Sequence, residues 1–236
     1  MTFDLGNPIN DPDFYEIDID LAYTWSFRAN DKLSLPQHAI FMKDRFIEIL
    51  KSITDLPLQQ QSEIRSMCSV KHLAKGEHFI RAGEIPGKMA FNLKGLLRYY
   101  YLDKKGNDYT KGFFAEGSPI TSYSAMIRNR ESYFSIEALE DSVLAVFTYS
   151  DWKQLLNSHP CWKQLLIALL EKGYSAKETR EREFLVLDAE EKYTIFIQSF
   201  PDIENRIKQH YIASYLGITP VALSRIRRKM GLVNIG

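Results

Sequence analysis

Gln209-His210-Tyr211-Ile212-Ala213-Ser214-Tyr215-Leu216-Gly217-Ile218-Thr219-Pro220-Val221-Ala222-Leu223-Ser224-Arg225-Ile226-Arg227-Arg228 is the stretch on which the reading of this chain turns. Ile212, Ala213 and Leu216 give a first helix one apolar face, with Ala213 small enough for a second helix to cross closely. Gly217 suits the left-handed backbone of a tight turn because it has no Cβ to clash. Thr219 can cap, and Pro220 can open, the helix that follows. On that helix Leu223, Ile226 and Met230 share an inward face, which leaves Val221, Ser224, Arg225 and Arg228 outward. The spacing predicts a helix-turn-helix whose second helix fits a major groove. Arg225 can donate two hydrogen bonds to a guanine edge, Ser224 can reach base or phosphate, and Val221 can touch a thymine methyl. Lys208, Gln209, Thr219, Arg228 and Lys229 are placed for phosphates, which set position without reading sequence. The plainer reading, two helices closing a small domain under a solvated arginine face, explains less: cap, glycine turn, inward triad and acid-free flank all agree on the first.

Charge supports the same end of the chain. The formal net charge is zero, yet residues 205 to 236 carry six bases (Arg206, Lys208, Arg225, Arg227, Arg228, Lys229) and no acid. Residues 1 to 41 carry seven acids (Asp4, Asp11, Asp13, Glu16, Asp18, Asp20, Asp31) against Arg28 and Lys32. A basic end of this kind suits a polyanion such as double-stranded DNA. The first forty residues show no sustained period and read as a poorly structured acidic arm over 1–41, or as an upstream start to a chain that works from about Met42.

Upstream of the helix pair, Asp188 and Glu191 have the form of a capping box for a helix carrying Tyr193, Ile195, Phe196 and Ile197. Before it, His159-Pro160 opens a longer helix from Cys161 to about Leu185, and Ser150 is placed to cap a short one ending near Asn157. Trp162, Leu165, Leu166, Leu169, Gly173, Ala176, Arg180 and Phe184 fall near one stripe of the long helix. That stripe can meet a symmetry mate in a two-helix seam or pack on the chain's own body. From Lys75 to Tyr149 turn signals recur at short intervals, and Met89 to Leu93, Leu96 to Leu102, Tyr109 to Phe114, Tyr133 to Leu139 and Val143 to Tyr149 are aromatic and β-branched. This pattern predicts a jelly roll or closed barrel of short antiparallel strands, preceded by two short helices that begin at Met42. The fold class expected is therefore α+β. It comprises an N-terminal roll with flanking helices over 42–159, a long central dimerisation helix over 160–187 and a helix-turn-helix domain over 188–236.

With 236 residues and 45% hydrophobic composition the chain can bury two cores. No apolar run approaches the roughly 20 residues that span a bilayer, so no membrane partner is expected, and a cytoplasmic home follows by default. Cys68 and Cys161 stand alone and the five histidines include no ligand spacing, so neither a metal site nor a cofactor is expected. No nucleophile beside a base, phosphate loop or paired carboxylate motif points to an enzyme.

On these residues the chain resembles the Crp/Fnr family of regulators. The helix-turn-helix residues carry the likeness, as do Gly76-Glu77, Phe79-Ile80-Arg81-Ala82-Gly83-Glu84, Ala90-Phe91-Asn92-Leu93-Lys94-Gly95 and Ala138-Leu139-Glu140-Asp141-Ser142. It covers about Met42 to Met230, and its Leu-Ser-Arg-Ile-Arg-Arg style of second helix is similar to the branch common in Bacteroidetes. The resemblance implies a cyclic-nucleotide-binding-like double-stranded β-helix, a homodimer on an inverted-repeat DNA site and a winged-helix-like C-terminal domain. It also implies an unidentified small-molecule effector and RNA polymerase as further partners.

The chain departs from that pattern where a cyclic nucleotide would bind. Thr121-Ser122 stand where the family has Gly-Glu for the ribose, and Ser132-Tyr133 stand where it has Arg-Ser for the cyclic phosphate. These four residues are the expected effector pocket, and without the arginine they imply weak or no cyclic-AMP binding. Arg128 and Arg130 lie nearby in sequence. Two cysteines cannot supply the four thiolates of the family's iron-sulfur sensor, and haem through His72 or His78 stays open. Only Gly231 to Gly236 follow the second helix, so any wing must lie near Ile203 to Ile207. The competing class is a small-molecule-binding barrel or barrel enzyme whose C-terminal helices serve assembly.

Overall fold

The computed structural model describes residues 35–201 and 203–232. Helices α1 (Leu35–Ile53) and α2 (Leu58–Met67) come first. Helix α1 begins seven residues ahead of the expected Met42, so the end of the stretch read as an arm belongs to the fold. A proline is tolerated in a helix's first turn, where its missing N–H has no partner to lose. The rest of the acidic arm, residues 1–34, lies outside the described residues.

Strands β1 (Ser69–Leu73), β2 (His78–Ile80), β3 (Lys88–Lys94), β4 (Leu97–Leu102), β5 (Asp108–Phe114), β6 (Pro119–Ile120), β7 (Phe134–Ala138) and β8 (Ser142–Thr148) follow, with α3 (Tyr123–Ile127) between β6 and β7. They form two four-stranded antiparallel sheets, in the orders β1-β8-β3-β6 and β2-β7-β4-β5. The five runs expected from composition all became strands. Strands β2 and β6 were not marked, because three and two residues are too short to show a period, and β1, Ser-Val-Lys-His-Leu, is largely polar and exposed.

Period-two alternation assigns the faces. On β3 and β8, Met89, Phe91, Val143, Ala145 and Phe147 turn out towards helices, whereas Ala90, Leu144 and Val146 turn into the roll. Both faces are thus buried, which is why these strands read as nearly continuous apolar runs. The outward side packs on Phe46, Leu50 and Ile64 from α1 and α2, and on Trp152 and Trp162.

Those tryptophans belong to α4 (Tyr149–Ser158) and α5 (Pro160–Val186). The cap of α4 is Thr148, not the expected Ser150. Thr148 Oγ1 accepts from Asp151 N, and the Asp151 carboxylate accepts from Thr148 N at 2.8 Å, a reciprocal pair that starts the helix earlier. His159 caps α5, with Pro160 in its first turn. Trp162 Nε1 donates to buried Gln60 Oε1 at 2.7 Å, tying α5 to α2.

The stripe expected on α5 divides. Trp162 and Leu165 are buried on the chain's own roll, with Leu166 and Leu169 packed beside them. The apolar side chains left outward are Ile167, Leu170 and Tyr174, at three- and four-residue spacing, and then Phe184 to Val186. A Cβ placed on Gly173 would meet nothing within 4 Å.

Helix α6 (Ala189–Ser199) starts on the Asp188/Glu191 capping box. It is followed by α7 (Ile203–Arg206), α8 (Gln209–Leu216) and α9 (Pro220–Lys229). The place proposed for a wing holds α7, and no strand follows β8 among the described residues. Four residues closed by an Arg206 that faces the roll leave no length for a hairpin. A third core joins α6 to α9 with Leu96, Phe113 and Leu139 of the roll.

Candidate nucleic-acid interface

Three side chains of α8, Ile212, Ala213 and Leu216, are buried, and Leu223 of α9 closes on them. Gly217 ends α8 at φ 69°, the left-handed region, and its N–H reaches the carbonyls of Ala213 and Ser214. Thr219 Oγ1 then accepts from Ala222 N at 3.1 Å and Pro220 opens α9. The turn fixes where α9 leaves α8, and Leu223 with half-buried Ile226 and Met230 fixes which side faces in.

Every residue expected at the interface is exposed: Lys208, Gln209, Thr219, Val221, Ser224, Arg225, Arg228 and Lys229. They are not equivalent. The Thr219 hydroxyl serves the cap, and Lys229 Nζ lies 2.6 Å from Glu190 Oε2 on α6. Val221, 61% exposed, and Ser224, Arg225 and Arg228 form a ridge with no ion pair or side-chain hydrogen bond among the described residues. All seven acids of the N-terminal stretch, with Arg28 and Lys32, lie outside the described residues.

Sequence reasoning counted Arg227 with the basic run and missed its role. It points inward, 15% exposed, to Glu204 of α7 and, at 3.2 Å from Nη1, to Tyr193 Oη of α6. The available signal was its place four residues after Leu223, on the same face of the helix.

The helix pair is seated directly on the roll. Thr110 N of β5 donates to Ser214 Oγ at 2.9 Å, and Tyr211 covers the Arg98 guanidinium at 3.9 Å. Arg98 is 2% exposed and reaches Asp108 at 3.0 Å and Glu137 at 3.2 Å, with the Tyr100 ring on its other side at 4.2 Å. Arg206 bridges Glu116 and Glu140 from two loops of the roll, at 3.2 and 2.5 Å. These carboxylates hold its pKa above the ordinary value. Arg180 of α5 donates to Tyr215 O at 2.6 Å and lies over the Tyr215 ring.

Three of the four expected effector residues come together. Thr121 N donates to Tyr99 Oη at 2.9 Å, and buried Ser122 and Ser132 place their hydroxyl oxygens 3.0 Å apart. Tyr133 does not join them: it is 82% exposed, because β7 starts one residue later and Ser132 takes the inward place. Tyr99 stacks on Phe114 and Phe134 inside the roll, at 3.9 and 5.2 Å between centroids. Lys111 Nζ lies 4.3 Å from the Phe134 centroid, where desolvation and then the Lys177 ammonium lower its pKa. Arg128 and Arg130 are exposed. His72 stacks on His38 and His78 meets Tyr100, and no cluster of three metal-ligating side chains occurs among the described residues. No helix among them is long and apolar enough to cross a membrane.

Residues 70–159 match the family described as the cyclic nucleotide-binding domain. Among solved structures, a protein described as a transcriptional regulator of the crp/fnr family from Eubacterium rectale superposes with TM-score 0.63 at 19% identity, covering 77% of this chain and 88% of that one. The chain shares the fold of that regulator. FixK2 from Bradyrhizobium japonicum superposes with TM-score 0.60 at 16% identity, over 72% of this chain and 88% of its own. The c-di-GMP responsive global regulator CLP of Xanthomonas campestris gives 0.57 at 12%, over 81% and 91%. No protein of curated function matches the sequence. The Crp/Fnr likeness therefore rests on the shared architecture and on the cyclic-nucleotide-binding-type roll.

Proposed function

We propose that this chain is a sequence-specific DNA-binding transcription regulator of Crp/Fnr type, working as a homodimer through α5. The observation that carries the reading is the unpaired ridge of Val221, Ser224, Arg225 and Arg228 on a capped helix whose other face is buried. Arg98, Arg206 and Arg227 are each held by acids of the fold, whereas on this ridge a polyanion would supply the counter-charge. Dimerisation is supported by the outward Ile167, Leu170 and Tyr174 and by the open space beside Gly173, which lets a second helix approach closely. Two copies of α9 related by a two-fold axis suit an inverted repeat with half-sites about one helical turn apart.

The roll is read as one that does not take cyclic AMP. Its interior holds the Tyr99, Phe114 and Phe134 rings, and neither Thr121-Ser122 nor Ser132 offers a guanidinium to a phosphate. Another small-molecule effector and contact with RNA polymerase remain parts of the proposal that rest on the family likeness.

Selection of bound fragments from random or genomic duplexes tests the reading, followed by titration against salt. Log affinity should fall steeply with log salt. Arg225→Ala should cost on the order of 1 to 3 kcal/mol on the selected duplex and relax preference at one base pair. A chain that ignores every duplex at low ionic strength overturns the proposal. Calorimetry with cyclic AMP should show no binding at micromolar concentration.

A further inference from the structure

The four bases of α9, Arg225, Arg227, Arg228 and Lys229, look alike in sequence, but Arg227 is withdrawn from the surface that a duplex would meet. Its Nη1 pairs with Glu204 Oε1, Tyr193 Oη donates to the same carboxylate oxygen, and Nη1 lies 3.2 Å from that hydroxyl. Tyr193 is fully buried, and Arg227 Nε is buried with no hydrogen-bond partner among the described residues. A guanidinium half-satisfied in this way is held for its direction, since a solvated arginine would satisfy all its donors.

The direction matters because α9 is only ten residues long and has one fully buried side chain, Leu223. Apolar contacts alone tolerate a small roll of a helix about its axis, whereas bidentate reading of a base edge needs placement to within about 0.5 Å. Two residues along an α-helix turn it by about 200°. With Arg227 fixed inward, Arg225 is therefore fixed outward.

We infer that Arg227 is a positioning residue for base reading and not a DNA contact: its bond to Glu204 and Tyr193 sets the rotation of α9 and so aims Ser224 and Arg225. This rests on the DNA-binding reading above. It predicts an effect of Glu204 opposite in sign to electrostatics. Removing an acid near a DNA-binding surface should by charge alone strengthen binding to any duplex; here Glu204→Gln weakens binding to the selected duplex.

The test uses the full chain, the selected duplex and a scrambled one, over a range of salt. Glu204→Gln and Arg227→Gln should each weaken the selected duplex by about tenfold, the worth of one reading contact, and leave the scrambled duplex within about twofold. The double variant should be no weaker than either single one. Arg227→Gln should keep the wild-type salt slope, whereas Arg228→Gln should lower it by about one. Arg227→Lys should restore part of the discrimination. If Glu204→Gln lowers the melting temperature too far for binding to be read, Tyr193→Phe, which removes one hydroxyl, gives the same comparison. A salt slope lowered by about one in Arg227→Gln, or tighter binding of both duplexes by Glu204→Gln, overturns the positioning role alone. A wild-type chain that binds no duplex overturns the DNA reading first.

Discussion

Arginine has opposite fates in two regions of this molecule. On the outer face of the β2-β7-β4-β5 sheet, Arg98 is all but excluded from water, held by Asp108 and Glu137 and enclosed between the Tyr100 and Tyr211 rings. On α9, Arg225 and Arg228 stand in solvent with no acid beside them among the described residues. A charge taken out of water needs its counter-charge in the fold, so Arg98 has become part of the joint between roll and helix pair. A charge left out needs none, and is free to meet one from outside. The side chain's partners, and not its type, separate scaffold from surface.

The comparison breaks most readily at Arg98. Arg98→Met should destabilise the chain by about 3 kcal/mol, because Glu137 and Asp108 would be left facing each other beneath Tyr211 without their cation. Urea unfolding measures it, and Arg228→Met, at the exposed site, should leave the unfolding midpoint within experimental scatter. Equal costs at the two positions would mean that Arg98 is not buried against α8.

A smaller effect is expected at the turn that presents the exposed arginines. Gly217→Ala should cost about 1 to 2 kcal/mol for placing a Cβ in the left-handed region. Its methyl would also come within 2.7 Å of Phe184 Cε2 on α5. Phe184→Ala in the same chain should recover the part due to contact and not the part due to backbone. Below this, Thr219→Ala should cost about 1 kcal/mol by leaving Ala222 N without its cap. Both are read by thermal unfolding, and both should weaken DNA binding more than they alter its salt slope, since neither removes a cation that neutralises a phosphate.

The exposed region was more legible in the sequence than the buried joint, for a physical reason. Gly217, Thr219, Pro220 and the inward Leu223 act within one turn of helix, so local rules determine their geometry. The strands of the roll were legible wherever the apolar run was long enough, as in β3 and β8. Arg98 and Arg206 were not, because their acids lie elsewhere along the chain: Asp108 and Glu137 for one, Glu116 and Glu140 for the other. The pairing exists only once β4, β5 and β7 lie side by side. The α5 stripe was left open between two partners for the same reason, since a single helix face does not say which body covers it. Tyr133 was misplaced by one residue of register, enough to turn a side chain from the interior to solvent.

The smallest effect concerns protons at the edge of the buried cluster. His78 on β2 places Nε2 2.8 Å from Tyr100 Oη, and its Nδ1 is buried without a partner among the described residues. Burial first, then the Arg81 cation, lower its pKa from the ordinary 6.5; Glu137 pulls the other way, and Arg98 (lowering) and Glu84 (raising) contribute less. Below pH 6.5 the unfolded chain therefore binds a proton that the folded chain resists, so stability is full above that pH and declines as pH falls through the lowered value. In His78→Gln the loss between pH 7.5 and 5.5, measured by urea midpoints, should be smaller than in wild type. Carboxylates titrating over the same range contribute equally to both chains and cancel in the comparison. An undiminished loss would mean that the ring is solvated and the cluster open to water at that end. Because His78 belongs to the buried cluster and not to the exposed ridge, the substitution should leave the salt dependence of DNA binding at its wild-type slope, whereas removing the charge of Arg228 lowers it.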